Sequence, residues 1–577
     1  MIGSEDQEQG SQGTVDLLRS FDNQLRSVAS GVVRGEYVFW LGSGLSRSVV
    51  PDVGELLRKL LSFLQARVEP ADENCRYRKA LREILDISGI PADDRQQIQL
   101  TTSVDSWPHI NDLVQRLTDR YSKVLDVLVD GEDQDFLVWK GIDVANTYGS
   151  PDLEPAAEHL CLAILMLEGV IRTAPSANWD GLVEKAIHRL TGETTGFLRV
   201  VVRPQEFSEH ESRCDLIKFH GCAIRAREDP GTYRAALIAR ESQISGWTTK
   251  TEHSLMKSQL EHHVATSGAL VVGLSAQDAN LHTILHQAAE NLGRTWPVTP
   301  PAVVFALEGL EHDQKHVLRI TYGESYNENH EEIETAALLG AHAQPLLLAL
   351  VLYTLADKLS SLVAAISPTV IDNATTEAIQ AGIRDLRDVV AGAVDDNSLA
   401  FVERLVAGVG ILLSIFRTGV PIDGAACHYQ PLTAQPIEQT VLDPNVDTDA
   451  LGFLAVAASL FGRGVAEAFW ELKAGDVESP GEGVFTVESP LGDSRVFLVR
   501  DSGVLAQLEG HEHIDMKDAS VLAIHAKAIP PRQPRSSKSR YGRTGRQPAR
   551  EVAIESMVNA APDFQALMSD FRQEAAL

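Results

Sequence analysis

Apolar runs and helical patterns alternate between Leu160 and Tyr322, where four short strand candidates are separated by helical stretches. The four runs are FLRVVV, DLIKFHG, ALVVGLS and PAVVFAL, and an earlier run of β-forming residues ends at Leu41. Continuous Val, Ile and Leu runs between helices are typical of a parallel sheet covered on both faces. We therefore predict an α/β domain.

Helical periodicity dominates three other parts of the chain. Apolar positions recur at helical spacing from about residue 14 to 35, and residues 53–145 form a mainly helical insertion. Long helical patterns also follow residue 330. The runs SRVFLVRDSGVL and ASVLAIHAKAI then precede a terminal helix. The predicted divisions are an N-terminal helix (1–30), the α/β domain (31–328), a helical domain (329–440) and a small C-terminal α/β domain (441–577).

Composition changes this picture mainly through charge. The 577 residues exceed one ordinary core, so several domains are expected. The net charge of −29 disfavours nucleic acid, except indirectly or through a basic arm at 532–550. That arm could equally be solvated or contact another subunit.

Three further features of the sequence bear on the cellular compartment and on membrane association. The five cysteines are scattered without a CxxC pair, which argues against disulfides and a zinc ribbon. The N-terminus lacks the basic and apolar regions of a signal peptide. The apolar run Pro345–Ala356 is shorter than the roughly 20 residues that span a bilayer. We expect a cytoplasmic protein without membrane contact, with this run as a buried helix.

The first candidate for chemistry is the loop after Leu41, where Gly42-Ser43-Gly44 precedes a helix that starts near Pro51 to Glu55. Glycines let backbone N–H groups approach a phosphate at a helix N-terminus. The loop lacks the lysine of GxxxxGK[ST] and the third glycine of GxGxxG, where Arg47 stands. A glycine turn that only packs a strand on a helix is the alternative.

Two further stretches carry polar residues at predicted strand or helix ends. Asn178 and Asp180 precede a helix; Asp180 suits an N-cap, whereas the Asn178 amide can both donate and accept. His220 ends the apolar strand in CDLIKFHGCAI. A histidine there is often structural, but the carboxyl edge of an α/β sheet binds ligands, and imidazole can act as a general base.

The last stretch is GALVVGLSAQDANLHTIL, a buried strand followed by small and polar residues. These residues could form a second loop beside a phosphate or ribose, and a carboxylate there can accept from ribose hydroxyls. A plain helix cap is the alternative for Asp278. The candidates in this loop are Gly273, Ser275, Asp278 and Asn280.

Taken in order, the four motifs over roughly residues 30–325 resemble the sirtuin superfamily, and in particular the sirtuin-like domains of bacterial anti-phage defence proteins. The resemblance implies a Rossmann-like sheet that binds NAD as substrate. Asn178 and Asp180 would position the nicotinamide ribose and a water, and His220 would be the base. The pyrophosphate and nicotinamide-ribose loop would be lined by Gly42, Ser43, Gly44 and Ser46. The adenosine half would be held by Gly273, Ser275, Asp278 and Asn280.

Departures from the deacetylase pattern bear on the reaction. The four-cysteine zinc ribbon of protein-deacetylating sirtuins is absent, so no zinc or other metal site is expected. Val53 and Gly54 stand where those enzymes have Phe-Arg. The expected activity is therefore NAD glycohydrolase, which yields nicotinamide and ADP-ribose. An NAD-dependent deacylase and a non-catalytic nucleotide-binding scaffold remain open alternatives.

The C-terminal half is similar in layout to the sirtuin-like subunit of two-component defence systems that pair it with a HerA-type hexameric ATPase. That similarity implies a homo-oligomer and a HerA-like ATPase or helicase as partner. NAD depletion during phage infection is the expected role.

Overall fold

The computed structural model describes residues 12–577 with internal gaps. The gaps are 210–211, 277–278, 292, 367–370, 396, 422–427, 444–445, 476–482 and 531–547. Asp278 lies outside the described residues, as does the basic arm up to residue 547.

A six-stranded parallel sheet forms the centre of the first part of the chain, in the order β3-β4-β2-β1-β5-β6. Its strands are β1 Tyr37–Leu41, β2 Thr173–Ser176, β3 Leu198–Val201, β4 Cys214–Lys218, β5 Gly268–Val272 and β6 Val303–Phe305. The four predicted apolar runs supply β3, β4, β5 and β6. The α/β Rossmann-like fold class is confirmed.

Both faces of this sheet are covered, as its continuous apolar strands predicted. Every residue of β1 is buried. Phe39 and Leu41 pack in one apolar cluster, and Val38 and Trp40 pack in another. Because successive side chains of a strand point to opposite faces, the two clusters lie on opposite sides of the sheet.

Seventeen α-helices among the described residues precede residue 340. They are α1 Thr14–Asp22, α2 Arg26–Val33, α3 Val53–Gln65, α4 Arg76–Ser88, α5 Ala92–Gln97, α6 Ile110–Thr118, α7 Tyr121–Leu125, α8 Val144–Thr147, α9 Ala157–Leu167, α10 Leu182–Thr191, α11 Ala223–Glu228, α12 Pro230–Tyr233, α13 Glu241–Ile244, α14 Ser254–Thr266, α15 Ala279–Asn291, α16 His312–Tyr322 and α17 Glu324–Ala337. Helices α3 to α8 form the predicted insertion, which has its own apolar cluster. The periodic stretch predicted as one N-terminal helix is two helices, α1 and α2.

A mostly helical region follows, with α18 Ala343–Ala365, α19 Asn373–Gly392, α20 Ser398–Thr418, α21 Ile437–Thr440 and α22 Thr448–Ala466. By length and composition, α18, α20 and α22 could each cross a membrane. The apolar run Pro345–Ala356 was expected to be too short to span a bilayer, but it is part of the longer helix α18, so that expectation is wrong. Within the chain, 72%, 56% and 72% of their most apolar stretches are buried.

The C-terminal part adds a five-stranded sheet in the order β11-β10-β9-β8-β7. Its strands are β7 Glu471–Ala474, β8 Phe485–Ser489, β9 Gly492–Val499, β10 Val521–His525 and β11 Arg550–Ala553, and its helices are α23 Ser502–Gly510, α24 Ile554–Ala560 and α25 Phe564–Ala575. β9, β10 and β11 are parallel, whereas β7 and β8 are antiparallel. One apolar cluster joins this sheet to α18, α19 and α22, so the helical region and the sheet share a core.

Candidate functional site

The candidate residues follow four strands of the same parallel sheet. Their loops leave β1, β2, β4 and β5, and all of these strands point the same way. The chain runs from β1 to one side through β2, β3 and β4, then returns to add β5 and β6 on the other side. β1 is therefore beside the topological switch point, where open α/β sheets bind ligands.

The loop after β1 packs closely on the loop after β5. A Cβ atom on Gly42 would lie 2.4 Å from the Cα of Leu274, and one on Gly273 would lie 2.4 Å from the amide nitrogen of Leu45. The Gly42 amide donates to Val272, and the Gly44 amide donates to Gly273 at 2.8 Å. These two amides are thus occupied by the last residue of β5 and the first residue of the loop after it, and the glycines are required for the close approach of the two backbones.

Ser46 connects the first loop to the second. Its Oγ lies 3.1 Å from Nε2 of His159 and accepts a hydrogen bond from Nδ2 of Asn178 at 3.3 Å. All three residues are buried. Helix α3 is not part of this contact, because it begins only after Asp52, whose carboxylate caps it by accepting from the Glu55 amide. Ser46, His159 and Asn178 therefore form a buried polar cluster at the carboxyl edge of the sheet.

The proton positions in this cluster follow from His159. Its Nδ1 accepts from the Ala156 amide at 3.2 Å, so the proton of the neutral ring is on Nε2, which donates to Ser46. Burial lowers the pKa of His159 to about 4, although the charge of Asp180 opposes the shift. At neutral pH the ring is therefore uncharged. The Ser46 hydroxyl accepts hydrogen bonds from His159 and Asn178, so its own O–H can donate to a third group.

Asn178 and Asp180 have different local roles. No partner among the described residues reaches the buried Oδ1 of Asn178. Such an orphaned acceptor carries a desolvation cost unless a ligand or water supplies a donor. Asp180 is also buried, and its Oδ1 accepts from the Leu182 amide at 3.2 Å at the start of α10. The N-cap position of α10 is occupied by Gly181, so the prediction of Asp180 as the N-cap is wrong by one residue, although its carboxylate still accepts from the first amide of the helix.

His220 is held against the second loop by its backbone. Its carbonyl accepts from Nε1 of Trp179 and from the Ile238 amide, both at 3.0 Å. The ring is buried against the edge of Phe219, with the centroids 4.7 Å apart. Because Trp179 lies between Asn178 and Asp180, this contact fixes the second and third loops relative to each other.

A buried lysine lies beneath these loops. Lys218, the last residue of β4, donates to the carbonyl of Asp180 and pairs with Glu184 at 2.7 Å. Burial disfavours the ammonium, but Cys222, Glu184 and Asp180 together raise the pKa of Lys218. The lysine therefore stays charged and joins the strand that carries His220 to the loop that carries Asp180.

The fourth loop is described only in part, because Asp278 lies outside the described residues. Ser275 is exposed, and its carbonyl accepts from Nε2 of Gln314 at 2.8 Å. Asn280 is buried at the start of α15. Gly273 has a positive φ of 67°, which favours glycine. The first three loops contact one another through side chains, whereas the fourth contacts the first through backbone.

Two residues of the site were absent from the sequence prediction. His159 lies in the apolar pattern AEHLCLAILML of α9, where only its isolation among buried residues marks it. Lys218 interrupts the apolar strand DLIKFHG, and a charged residue inside such a strand is a signal that a partner is buried with it.

Metal ligands do not cluster in the described part of the chain: no group of three or more His, Cys, Asp or Glu there could hold an ion. Four cysteines are described, and each is buried as a free thiol; they are Cys75, Cys161, Cys214 and Cys222.

The sheet and its linked loops define the first part of the chain as a Rossmann-like α/β domain whose candidate residues gather at the carboxyl edge. Residues 172–329 match the model of the SIR2-like domain family. The match covers about a quarter of the chain and contains Asn178, Asp180 and His220, while β1 and its glycine loop join the same sheet from outside it. SIR2-like domains bind NAD, so this part of the chain is sirtuin-like and supports an NAD-related activity. No curated protein matches the chain.

Proposed function

We propose that the protein hydrolyses NAD to nicotinamide and ADP-ribose. The observation that carries this proposal is the buried Ser46–His159–Asn178 cluster, whose Asn178 Oδ1 has no partner among the described residues. A buried acceptor without a protein donor, next to a serine hydroxyl, is suited to hold a water or a ribose hydroxyl. The similarity to SIR2-like domains, which bind NAD, is the reason for proposing this dinucleotide as the substrate.

In this reaction the bond between C1′ of the nicotinamide ribose and the ring nitrogen breaks, and its electron pair leaves with nicotinamide. Water adds to C1′ and loses one proton. Asn178 Oδ1 is placed to accept from the water or a ribose hydroxyl, and His220 would take the proton. Asp180 would supply a carboxylate that stabilises the positive charge developing on the ribose. His159 is neutral and bonded at both nitrogens, so its role is to position Ser46.

The test is product analysis by chromatography after incubation of the purified chain with NAD, alone and with an acetylated peptide. We expect nicotinamide and ADP-ribose in equal amounts, with or without peptide. Asn178→Ala and His220→Ala should lower turnover about 10²- to 10⁴-fold, the usual contribution of a positioned acid–base group. Asn373→Ala, an exposed residue at the start of α19, is the matched control and should leave turnover unchanged.

Other outcomes would contradict the proposal. Acetyl-ADP-ribose that appears only with peptide would identify a deacylase. NAD binding without turnover, unchanged in both alanine variants, would identify a nucleotide-binding scaffold. Circular dichroism of each variant separates loss of chemistry from loss of fold.

We further propose that the protein acts in anti-phage defence as a cytoplasmic homo-oligomer with a HerA-like ATPase, on the similarity in layout of its C-terminal half to such subunits. Co-expression with the neighbouring gene product followed by affinity capture and light scattering tests the partner and the oligomer. A monomer that captures no ATPase contradicts this assignment and leaves the NAD chemistry untouched.

A further inference from the structure

A polar cavity of about 260 Å³ lies where the N-terminal helices meet α18 and α19. It is lined by Asp22, Arg26, Tyr353, Ala356, Asp357, Ser360, Arg384 and Arg387. It shares no residue with the candidate NAD site. Its volume is below the roughly 300 Å³ at which drug-sized sites begin, which suits a small ligand.

One of the three arginines is already saturated. Arg387 is buried and donates to both carboxylate oxygens of Asp22, at 3.0 and 2.6 Å. It also donates to Asp388 at 2.7 Å. Two carboxylates therefore surround this guanidinium, which makes it a structural link between α1 and α19 and leaves it little capacity for a ligand.

The other charged groups of the cavity have no such pairing. In the described part of the chain, no hydrogen bond or ion pair engages the side chains of Arg26, Arg384 or Asp357. Arg26 begins α2 and Arg384 lies on α19, whereas Asp357 lies on α18. Burial raises the pKa of Asp357 even though Arg26, Arg34 and Arg384 act against the shift. The cavity thus presents two solvent-exposed guanidinium groups and one half-buried carboxylate, which are not hydrogen-bonded to one another.

We propose that this cavity binds a small phosphorylated metabolite, in which Arg26 and Arg384 hold the phosphate and Asp357 accepts from a hydroxyl group of the attached sugar. Guanidinium groups bind phosphate through paired, charge-assisted hydrogen bonds. A carboxylate accepts from sugar hydroxyls in the same way as in nucleotide sites. A ligand of one phosphate and one sugar is small enough for the cavity volume of about 260 Å³.

The test is calorimetric titration of the full chain with ribose 5-phosphate, inorganic phosphate and ribose, without NAD. We expect ribose 5-phosphate to bind more tightly than inorganic phosphate and ribose to show no binding. The double variant Arg26→Gln, Arg384→Gln should weaken ribose 5-phosphate at least about tenfold, since each charge-assisted bond contributes about that factor. Arg82→Gln, an exposed arginine of the insertion, is the matched control.

Asp357→Asn separates the two halves of the ligand. This variant should bind ribose 5-phosphate more weakly. Its binding of inorganic phosphate should be unchanged or tighter, because a negative charge has been removed from the cavity. Asn178→Ala should retain binding, which distinguishes this cavity from the NAD site. No binding to the unaltered chain, or equal binding to the double variant, would overturn the proposal whether or not NAD is hydrolysed.

Discussion

Acidification provides a direct test of the buried polar cluster, because His159 is held neutral by its surroundings. The ring accepts at Nδ1 from the Ala156 amide and donates at Nε2 to Ser46. Protonation would place a second N–H against the Ala156 amide, which is itself a donor. The folded protein therefore resists protonation of this ring, whereas the unfolded chain does not.

The magnitude follows from the two pKa values. In the folded state burial lowers the pKa of His159 to about 4, compared with about 6.5 in the unfolded chain. Since the folded value is the lower one, the unfolded state binds the proton first, and stability falls as pH falls. The contribution is fully present above pH 6.5 and is lost progressively toward pH 4. At pH 5 the loss is about 2 kcal/mol.

The assay compares the unaltered protein with His159→Gln, which keeps a polar side chain but cannot titrate. Urea unfolding is followed by tryptophan fluorescence, since all tryptophans except Trp470 lie in the first 300 residues. The variant should be less stable at pH 7, because Ser46 and Ala156 lose well-placed partners. The difference in free energy of unfolding between the two proteins should be about 2 kcal/mol smaller at pH 5 than at pH 7. A difference that does not change with pH would refute the assigned neutral ring.

Three further substitutions test other parts of the structure. Lys358→Met should lower the free energy of unfolding by about 3–5 kcal/mol, because Glu168 would remain buried without its cation, and the added change Glu168→Gln should restore part of the loss in urea unfolding. Gly273→Ala should displace the loop from Leu45 and lower both melting temperature and NAD turnover, since φ is positive and the added Cβ would clash; Gly309→Ala, with open space around it, is the control. Lys218→Met should lower kcat at least about tenfold, because a positioning residue is lost. The dependence of kcat on pH should keep its shape, because the base is still present. A shifted pH profile would contradict the positioning role.

The strands of the first sheet were predictable where burial on both faces makes a continuous apolar run. β2 escaped prediction for a physical reason. It is the short stretch Thr173–Ser176, and Pro175 has no N–H to donate to a neighbouring strand. It nevertheless pairs in register with β4, since its four residues need few ladder bonds. The break between α1 and α2 was also missed, because the apolar spacing continues across it.

The grouping of the candidate residues at one edge was also predictable, since loops that follow parallel strands must emerge together. The contacts among them were not. Ser46 and His159 are 113 positions apart in the chain, and no local sequence pattern predicts that their side chains are in contact. The glycine loop illustrates the same limit. Its sequence suggests free amides for a phosphate, but in the structure the Gly42 amide donates to the end of β5 and the Gly44 amide donates to the loop after it.

The relation between the sheet and the helical region depends on buried charge, which sequence patterns do not reveal. Lys358 on α18 donates to Glu168 at the end of α9 at 2.6 Å, and the Tyr429 hydroxyl donates to the same carboxylate at 2.7 Å. Such a pair is costly to desolvate, so it is stable only when the partners are assembled. The helix α9 is therefore fixed at one end by Lys358 and at the other by the bond of His159 to Ser46.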